Sequence, residues 1–323
     1  MKACIDIGGT KVSVSLVATT GNALPGADQF LARRAESTVK TGTADALAQQ
    51  ILRMVADACR EVGTAPDALL AVGVASCGPF VMRDRLIELA APNICGGVAG
   101  PARGLPNDWR SAPLEAPLRT VFGDRLRLDN DGIAALQAER RWGALQGVDN
   151  CGYLTWSTGI GFGLCVDGRV LRGKNGNAGH AGHMFVSDVN FATDPVPLCG
   201  CGNVGDVEGL VAGNAIARRF SPQGFADAAA LLAAANAGDA AALALVDELC
   251  RVMGRALYNL AVTLDLQRVS IGGSVFWYHQ RLLLPRLQVQ IKGKLAALTD
   301  DFTLVPAGLG ERVGDFAALA LVS

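Results

Sequence analysis

The chain has 323 residues, half of them apolar, 18% charged and 6% aromatic, the composition of a globular protein long enough for about two domains. Twenty-nine Lys and Arg against 30 Asp and Glu exclude a nucleic-acid binder that relies on bulk positive charge. Thirty-nine glycines exclude an all-helical bundle and point to strands, tight turns and backbone that approaches a ligand closely.

Residues 3–6 form a short apolar strand, Gly8-Gly9-Thr10-Lys11 a turn, and residues 12–17 alternate apolar and polar, so the chain opens with a β-hairpin. Thr43 then caps a helix whose Leu47, Ile51, Met54, Val55 and Ala58 share one face. Residues 69–75 are a buried strand ending at Cys77-Gly78-Pro79, and the stretch 92–113, rich in Pro and Gly, is mostly loop. Another strand, 125–130, leads to Asp131, which opens a helix towards Trp142. After Gly143 the pattern restarts with a strand at 152–157, a glycine turn from Thr158 to Gly163 and a strand at 164–166. Leu243, Val246, Cys250, Met253, Leu257, Leu260 and Leu264 mark a long amphipathic helix. It runs into a strand at 268–271 and a third turn, Gly272-Gly273, and a last helix covers about 315–321. Two glycine-turn hairpins far apart in the chain, each followed by mixed strands and helices, predict two related α/β lobes. No apolar run approaches the roughly 20 residues that span a bilayer, and the opening strand is no signal peptide. The nine cysteines follow no disulfide spacing and read as thiols of a reducing, cytoplasmic compartment.

In the first hairpin Gly8 and Gly9 let backbone N–H groups approach phosphate oxygens, Thr10 adds a hydroxyl and Lys11 a positive charge. Asp6 supplies a carboxylate able to hold a phosphate-bound Mg²⁺. The alternative is an ordinary hairpin turn, and the spacing is not that of a P-loop. Two such hairpins favour N–H groups converging on a phosphate chain. Asp131, at the end of a strand and the start of a helix, reads equally as a helix cap or as a base. His180 and His183, followed by Cys199-Gly-Cys201, carry the donor types of a tetrahedral zinc site; a pair of buried thiols is the plainer reading. His279, among aromatic residues, reads as packing. Cys4, Cys59, Cys151, Cys165 and Cys250 read as core, and Arg83, Asp84 and Arg85 as a solvated turn.

Taken in order, Asp6-Ile-Gly-Gly-Thr-Lys11, Asn130-Asp131, Thr158-Gly-Ile-Gly161, Gly179-His-Ala-Gly-His183 and Cys199-Gly-Cys-Gly202 resemble the ROK (repressor, open reading frame, kinase) family of sugar kinases. The resemblance implies an α/β, actin-like (ribonuclease-H-like) fold whose two lobes close over ATP. The lobes expected are 1–115, with the C-terminal helix 312–323 packed back on it, and 116–311, which carries a zinc loop. It makes Asp131 the catalytic base and Asn130 a holder of sugar hydroxyls. Thr158, Gly159 and Gly161 become a second phosphate loop, and Gly272 and Gly273 the turn against adenosine. Gly78, Asn93, His180, His183 and Glu208 would complete the sugar site. The family's zinc ligands are one His and three Cys, but here the third Cys is replaced by Asp206. The expected ligands are therefore His183, Cys199, Cys201 and Asp206.

His180 stands where the commonest family pattern has a glutamate. An imidazole both donates and accepts, whereas a carboxylate only accepts, and the Gly-His-x-Gly-His variant resembles bacterial N-acetylmannosamine kinases. The reading is an ATP-dependent kinase acting on a primary, 6-type hydroxyl, with N-acetylmannosamine favoured. Glucose, an unusual amino sugar or a C7 cyclitol are the alternatives, and a non-catalytic sugar sensor is the alternative of another class. A repressor is disfavoured because the hairpin begins at Ala3, with no helix-turn-helix before it. The partners expected are sugar and ATP, with no nucleic acid and no membrane, and the family implies a homodimer.

Overall fold

The structure is a computed structural model that describes residues 1–18, 24–99, 104–186 and 196–323. They fall into two compact units: Met1–Ala138 with Arg172–Ala178 and Arg312–Ser323, and Glu139–Leu171 with Gly179–Glu311.

The first unit contains β1 (Lys2–Ile7), β2 (Lys11–Val17), β3 (Phe30–Ser37), β4 (Ala71–Ser76), β5 (Phe80–Arg83), β6 (Leu86–Leu89), β7 (Ala112–Pro113) and β8 (Leu126–Asn130). Its main sheet runs β3-β2-β1-β4-β8, and β5-β6-β7 form a small second sheet. β1 and β4 lie in the middle of the main sheet and read as nearly continuous buried runs, whereas β2 alternates, as expected for one face against solvent. β1, β4 and β8 are parallel, with Ile7 opposite Ser76 and Ser76 opposite Asn130, so their carboxyl ends come level. Because β8 joins this sheet, the unit runs to Ala138 rather than ending at the expected 115.

The helix Ala46–Glu61 buries Leu47, Ile51, Met54, Val55 and Ala58 against the sheet. Thr43 does not cap it as expected. The Thr43 carbonyl already accepts the Ala46 N–H at 2.9 Å, and its hydroxyl bonds the Asp45 carboxylate at 2.6 Å instead. The helix Val313–Ala320 packs on β1 and β4. Its backbone comes so close that a Cβ at Gly73 would lie 2.0 Å from the Ala318 carbonyl oxygen.

The second unit repeats the pattern with β9 (Cys151–Trp156), β10 (Ile160–Val166), β11 (Arg169–Val170), β12 (Arg268–Gly272) and β13 (Thr303–Pro306), ordered β11-β10-β9-β12-β13. In both units a hairpin and a third antiparallel strand are followed by two parallel strands. This is the duplicated α/β, actin-like topology that the motifs imply. The helix Ala240–Leu264, capped by Asp239 on the Ala242 N–H at 2.8 Å, carries Val246, Cys250, Met253 and Leu257 into the core. Among the described residues no single helix is long and apolar enough to cross a membrane. The five cysteines read as core are all buried, and Asp84 and Arg85 form an exposed turn with positive φ.

Candidate active site

In open α/β sheets ligands collect at the carboxyl ends of the strands, and the candidate residues of the first unit lie there. After β1, the Gly8 N–H bonds the Lys11 carbonyl at 2.9 Å and closes the glycine turn. Thr38, which the sequence did not single out, fastens this turn through its hydroxyl to the Gly8 carbonyl (2.8 Å) and its N–H to the Thr10 carbonyl (3.0 Å). Gly9 is needed for a close approach, since a Cβ there would lie 2.0 Å from the Asn93 Nδ2. Asn93 thus sits against the hairpin, and its Oδ1 is buried with no partner. The side chains of Thr10 and Lys11 are exposed.

At the end of β4 the Cys77 N–H bonds the Ile7 carbonyl at 2.8 Å and leads into Gly78. At the end of β8, Asn130 is buried and spans to β4 through its Nδ2 and the Ser76 carbonyl (3.4 Å). Its Oδ1 accepts the Gly132 N–H at 3.0 Å, and the same N–H reaches Asp131 Oδ1 at 2.8 Å. Asp131 begins the helix Asp131–Trp142. Burial pushes its carboxyl up to about 6, against the hydrogen bonds from Gly132 and Asn130. Asp6 is pushed up to about 7, by burial first and then by the charge of Asp131, with Lys11 opposing. Two neighbouring carboxyls in a desolvated recess have pKa values apart from the ordinary range, the signature of groups poised to move protons or to meet a cation.

In the second unit, the Ser157 N–H bonds the Gly159 carbonyl at 3.0 Å and closes the Thr158–Gly161 turn. The Ser157 carbonyl accepts the Gly213 N–H at 2.8 Å, which ties the turn to the helix Gly213–Phe220. Gly273, at φ +87°, lies against Trp156 at the end of β9, where a Cβ would approach the Trp156 carbonyl oxygen to 2.4 Å. Glycines are required in the His segment for the same reason. A Cβ at Gly179 would lie 2.2 Å from the Phe162 carbonyl oxygen, and one at Gly182 2.6 Å from that of Ile160. The segment is laid along the outer edge of β10, where the Phe162 N–H bonds the Gly179 carbonyl at 3.2 Å. There the rings of His180 and His183 stack with centroids 6.0 Å apart.

Glu208, on the helix Val207–Val211, continues this edge. Its Oε2 accepts the Ile160 N–H at 3.0 Å and its Oε1 the Cys199 thiol at 3.3 Å. His183, Cys199, Cys201 and Asp206 form one cluster, with a donor atom of each within 4.8 Å of the others. His183 Nδ1 lies 3.0 Å from Asp206 Oδ2 and 3.5 Å from Cys199 Sγ, and Cys201 Sγ lies 3.5 Å from Asp206 Oδ2. Tetrahedral zinc with ordinary bond lengths needs edges of about 3.3 Å for N–O and about 3.5 Å for N–S and O–S, so this donor set fits. The second oxygen of Asp206 caps the helix on the Gly209 N–H at 2.7 Å. With Nδ1 of His183 committed to the cluster, only its Nε2 remains for any substrate.

Glu139 is a further buried group that the sequence did not disclose. Fully buried, its carboxylate accepts the N–H groups of Ala144 (2.8 Å), Gly308 (2.9 Å) and Leu309 (2.9 Å). Only a carboxylate at the end of a helix followed by Gly143 hinted at it.

The ROK family model matches residues 2–323, and the chain belongs to that family. An N-acetylmannosamine kinase of Salmonella agona is 33% identical over 275 residues, 84% of this chain and 82% of the relative. A glucokinase of Aeropyrum pernix is 30% identical over 269 residues, 77% of this chain and 78% of the relative. Among solved structures, the ROK hexokinase from Thermus thermophilus matches with a TM-score of 0.72 at 30% identity, covering 98% of this chain and 96% of that one. By class, the chain is a carbohydrate kinase.

Proposed function

We propose that the protein transfers the γ-phosphoryl group of ATP to a primary, 6-type hydroxyl of an amino sugar, with N-acetylmannosamine as the first choice. Asp131 carries this reading. It is a desolvated carboxyl at about 6, ionised at neutral pH yet basic enough to accept a hydroxyl proton as the oxygen attacks phosphorus. Asn130 holds it in place from β8 and offers an amide to the sugar. The orphaned Oδ1 of Asn93 suits the donor of a sugar hydroxyl, and Gly78 lets the ring approach the backbone.

The Gly8 N–H is bonded to the Lys11 carbonyl and the Ile160 N–H to Glu208; the other N–H groups of the Gly8–Lys11 and Thr158–Gly161 turns would bind phosphate oxygens, with Gly272 and Gly273 against the adenosine. Asp6 fits a phosphate-bound Mg²⁺, because a cation relieves the repulsion between its carboxylate and Asp131. When bound, Mg²⁺ would neutralise charge on the transferring phosphoryl group. His183, Cys199, Cys201 and Asp206 fit Zn²⁺, whose role would be to order the loop that carries Glu208. His180 supports the amino sugar, since an imidazole can donate to an N-acyl carbonyl where a carboxylate cannot. A cytoplasmic homodimer completes the reading and is supported by the family resemblance.

ADP release from Mg-ATP across N-acetylmannosamine, mannosamine, glucose, N-acetylglucosamine, kanosamine and C7 cyclitols tests it. Turnover largely confined to N-acetylmannosamine is expected. Preference for another sugar would sink the assignment of His180 and leave the kinase. Silence with every sugar would favour the non-catalytic sensor.

A further inference from the structure

We infer that Asn177, with Arg172 at the other end of the same loop, is a positioning residue that holds the sugar-binding turn and the base-bearing strand in register. The inference rests on the kinase reading above.

The loop meets an open backbone edge. β5 is an edge strand, and the Ala90 N–H already bonds the Pro79 carbonyl at 2.9 Å from β6. The next residue, Phe80, therefore turns its own N–H and C=O away from β6. Asn177 pairs both: its Oδ1 accepts the Phe80 N–H at 2.7 Å and its Nδ2 donates to the Phe80 carbonyl at 2.7 Å. A side-chain amide thus stands in for a missing strand rung, 97 residues away in sequence. Phe80 is itself core, with 1% exposure, and Gly78 lies two residues before it. The turn is held at its start by the Cys77 N–H on Ile7 and at its end by Asn177.

Arg172 grips the other strand end. Its Nε lies 2.9 Å from Asp129 Oδ2, and its terminal nitrogen also lies 2.9 Å from that oxygen. Asp129 is buried and accepts the Asn130 N–H at 3.2 Å. A buried carboxylate left without its cation is costly, so Arg172 fixes the backbone immediately before Asn130 and Asp131. The loop is closed on itself by the Ala178 N–H on the Arg172 carbonyl at 2.9 Å. At Gly176, φ is +78° and a Cβ would lie 3.3 Å from the Phe80 ring. After Ala178 the chain runs directly into Gly179 and His180. One short loop therefore fastens the turn of Gly78 and the strand of Asp131, and carries on into the residue assigned to sugar selection.

The test compares wild type with Asn177→Ala, Asn177→Asp and Arg172→Ala. It reads KM for sugar, KM for ATP, kcat, the unfolding midpoint and hydrogen exchange of the sugar-free protein around Phe80. Loss of two net hydrogen bonds at the turn raises the sugar KM by about tenfold in Asn177→Ala, with the ATP KM within about twofold and faster exchange at Phe80. Asn177→Asp keeps the acceptor for the Phe80 N–H, gives the same split in smaller measure, and serves if the Ala variant does not fold. Arg172→Ala lowers kcat more than it raises the sugar KM. An unchanged sugar KM overturns the inference, as does a parallel loss of kcat, both KM values and thermal stability, which marks a merely structural role. If wild type phosphorylates no sugar, the kinase reading fails separately. Exchange at Phe80 then decides for Asn177, and an unaltered rate overturns its positioning role.

Discussion

Asp131 and Asp6 show how a buried carboxyl acquires its chemistry. Desolvation favours the neutral form of each, and the charge of Asp131 raises Asp6 further. For Asp131 as the proposed base the expected consequence is a pH profile: kcat/KM for the sugar falls on the acid side with a midpoint near 6, because the protonated acid cannot accept the hydroxyl proton. For Asp6 the consequence is a cost to stability. Its folded value of about 7 lies above the ordinary value of 3.8, so its contribution to stability is fully present below the lower value and lost as pH rises through the higher one. Asp6→Asn in Mg²⁺-free buffer therefore raises stability at pH 8, by up to about 4 kcal/mol, and has no such effect at pH 4. Activity falls sharply in the same variant, and urea unfolding at the two pH values checks the sign. The sequence made these residues visible because glycine turns and an Asn-Asp pair leave short, local signals. Thr38, Arg172 and Asn177 act through contacts distant in sequence, and single residues of common types leave no spacing to read.

Elements were legible where periodicity was strong. The opening hairpin, the helix Ala46–Glu61, the long helix Ala240–Leu264 and the strand–helix junction at Asp131 all stand close to the residues that the pattern assigns. β3, with three Arg and Glu side chains among eight residues, and the short strands β5, β6 and β7 were not, because an edge or two-sided strand lacks clean alternation. The candidate metal loop was legible by donor type, and its four donor atoms lie within 4.8 Å of one another, close enough to hold an ion. Elemental analysis of the protein as purified should find about one zinc per chain. Asp206→Asn keeps an oxygen for the helix cap yet removes the anionic donor, so it should lose most of the metal while the helix Val207–Val211 stays formed. Full zinc retention in that variant would remove Asp206 from the ligand set. Glu139 joins the end of one helix to the backbone after β13. Replacing it by Ala takes the acceptor from three N–H groups, of which that of Leu309 is buried, for an expected loss of about 3 kcal/mol, measurable by denaturant titration.

Over the whole molecule, the two units share one strand order while their sequences share little beyond a glycine turn. The repeat was legible only as a pattern, since a β-sheet specifies alternation and turn chemistry rather than particular side chains. The unit boundaries were less legible, because β8 belongs to the first sheet by hydrogen bonding, which no composition change announces. The family places the chain among carbohydrate kinases, and the claim that follows for this chain is phosphoryl transfer to a sugar hydroxyl with Asp131 as the base. The most direct test is sugar-dependent ADP release by the wild type and by Asp131→Asn, both checked for an unchanged fold. The expected result is sugar-stimulated turnover in the wild type that drops by about 10³-fold or more in the variant. Comparable turnover in the two proteins would contradict the assignment of the base.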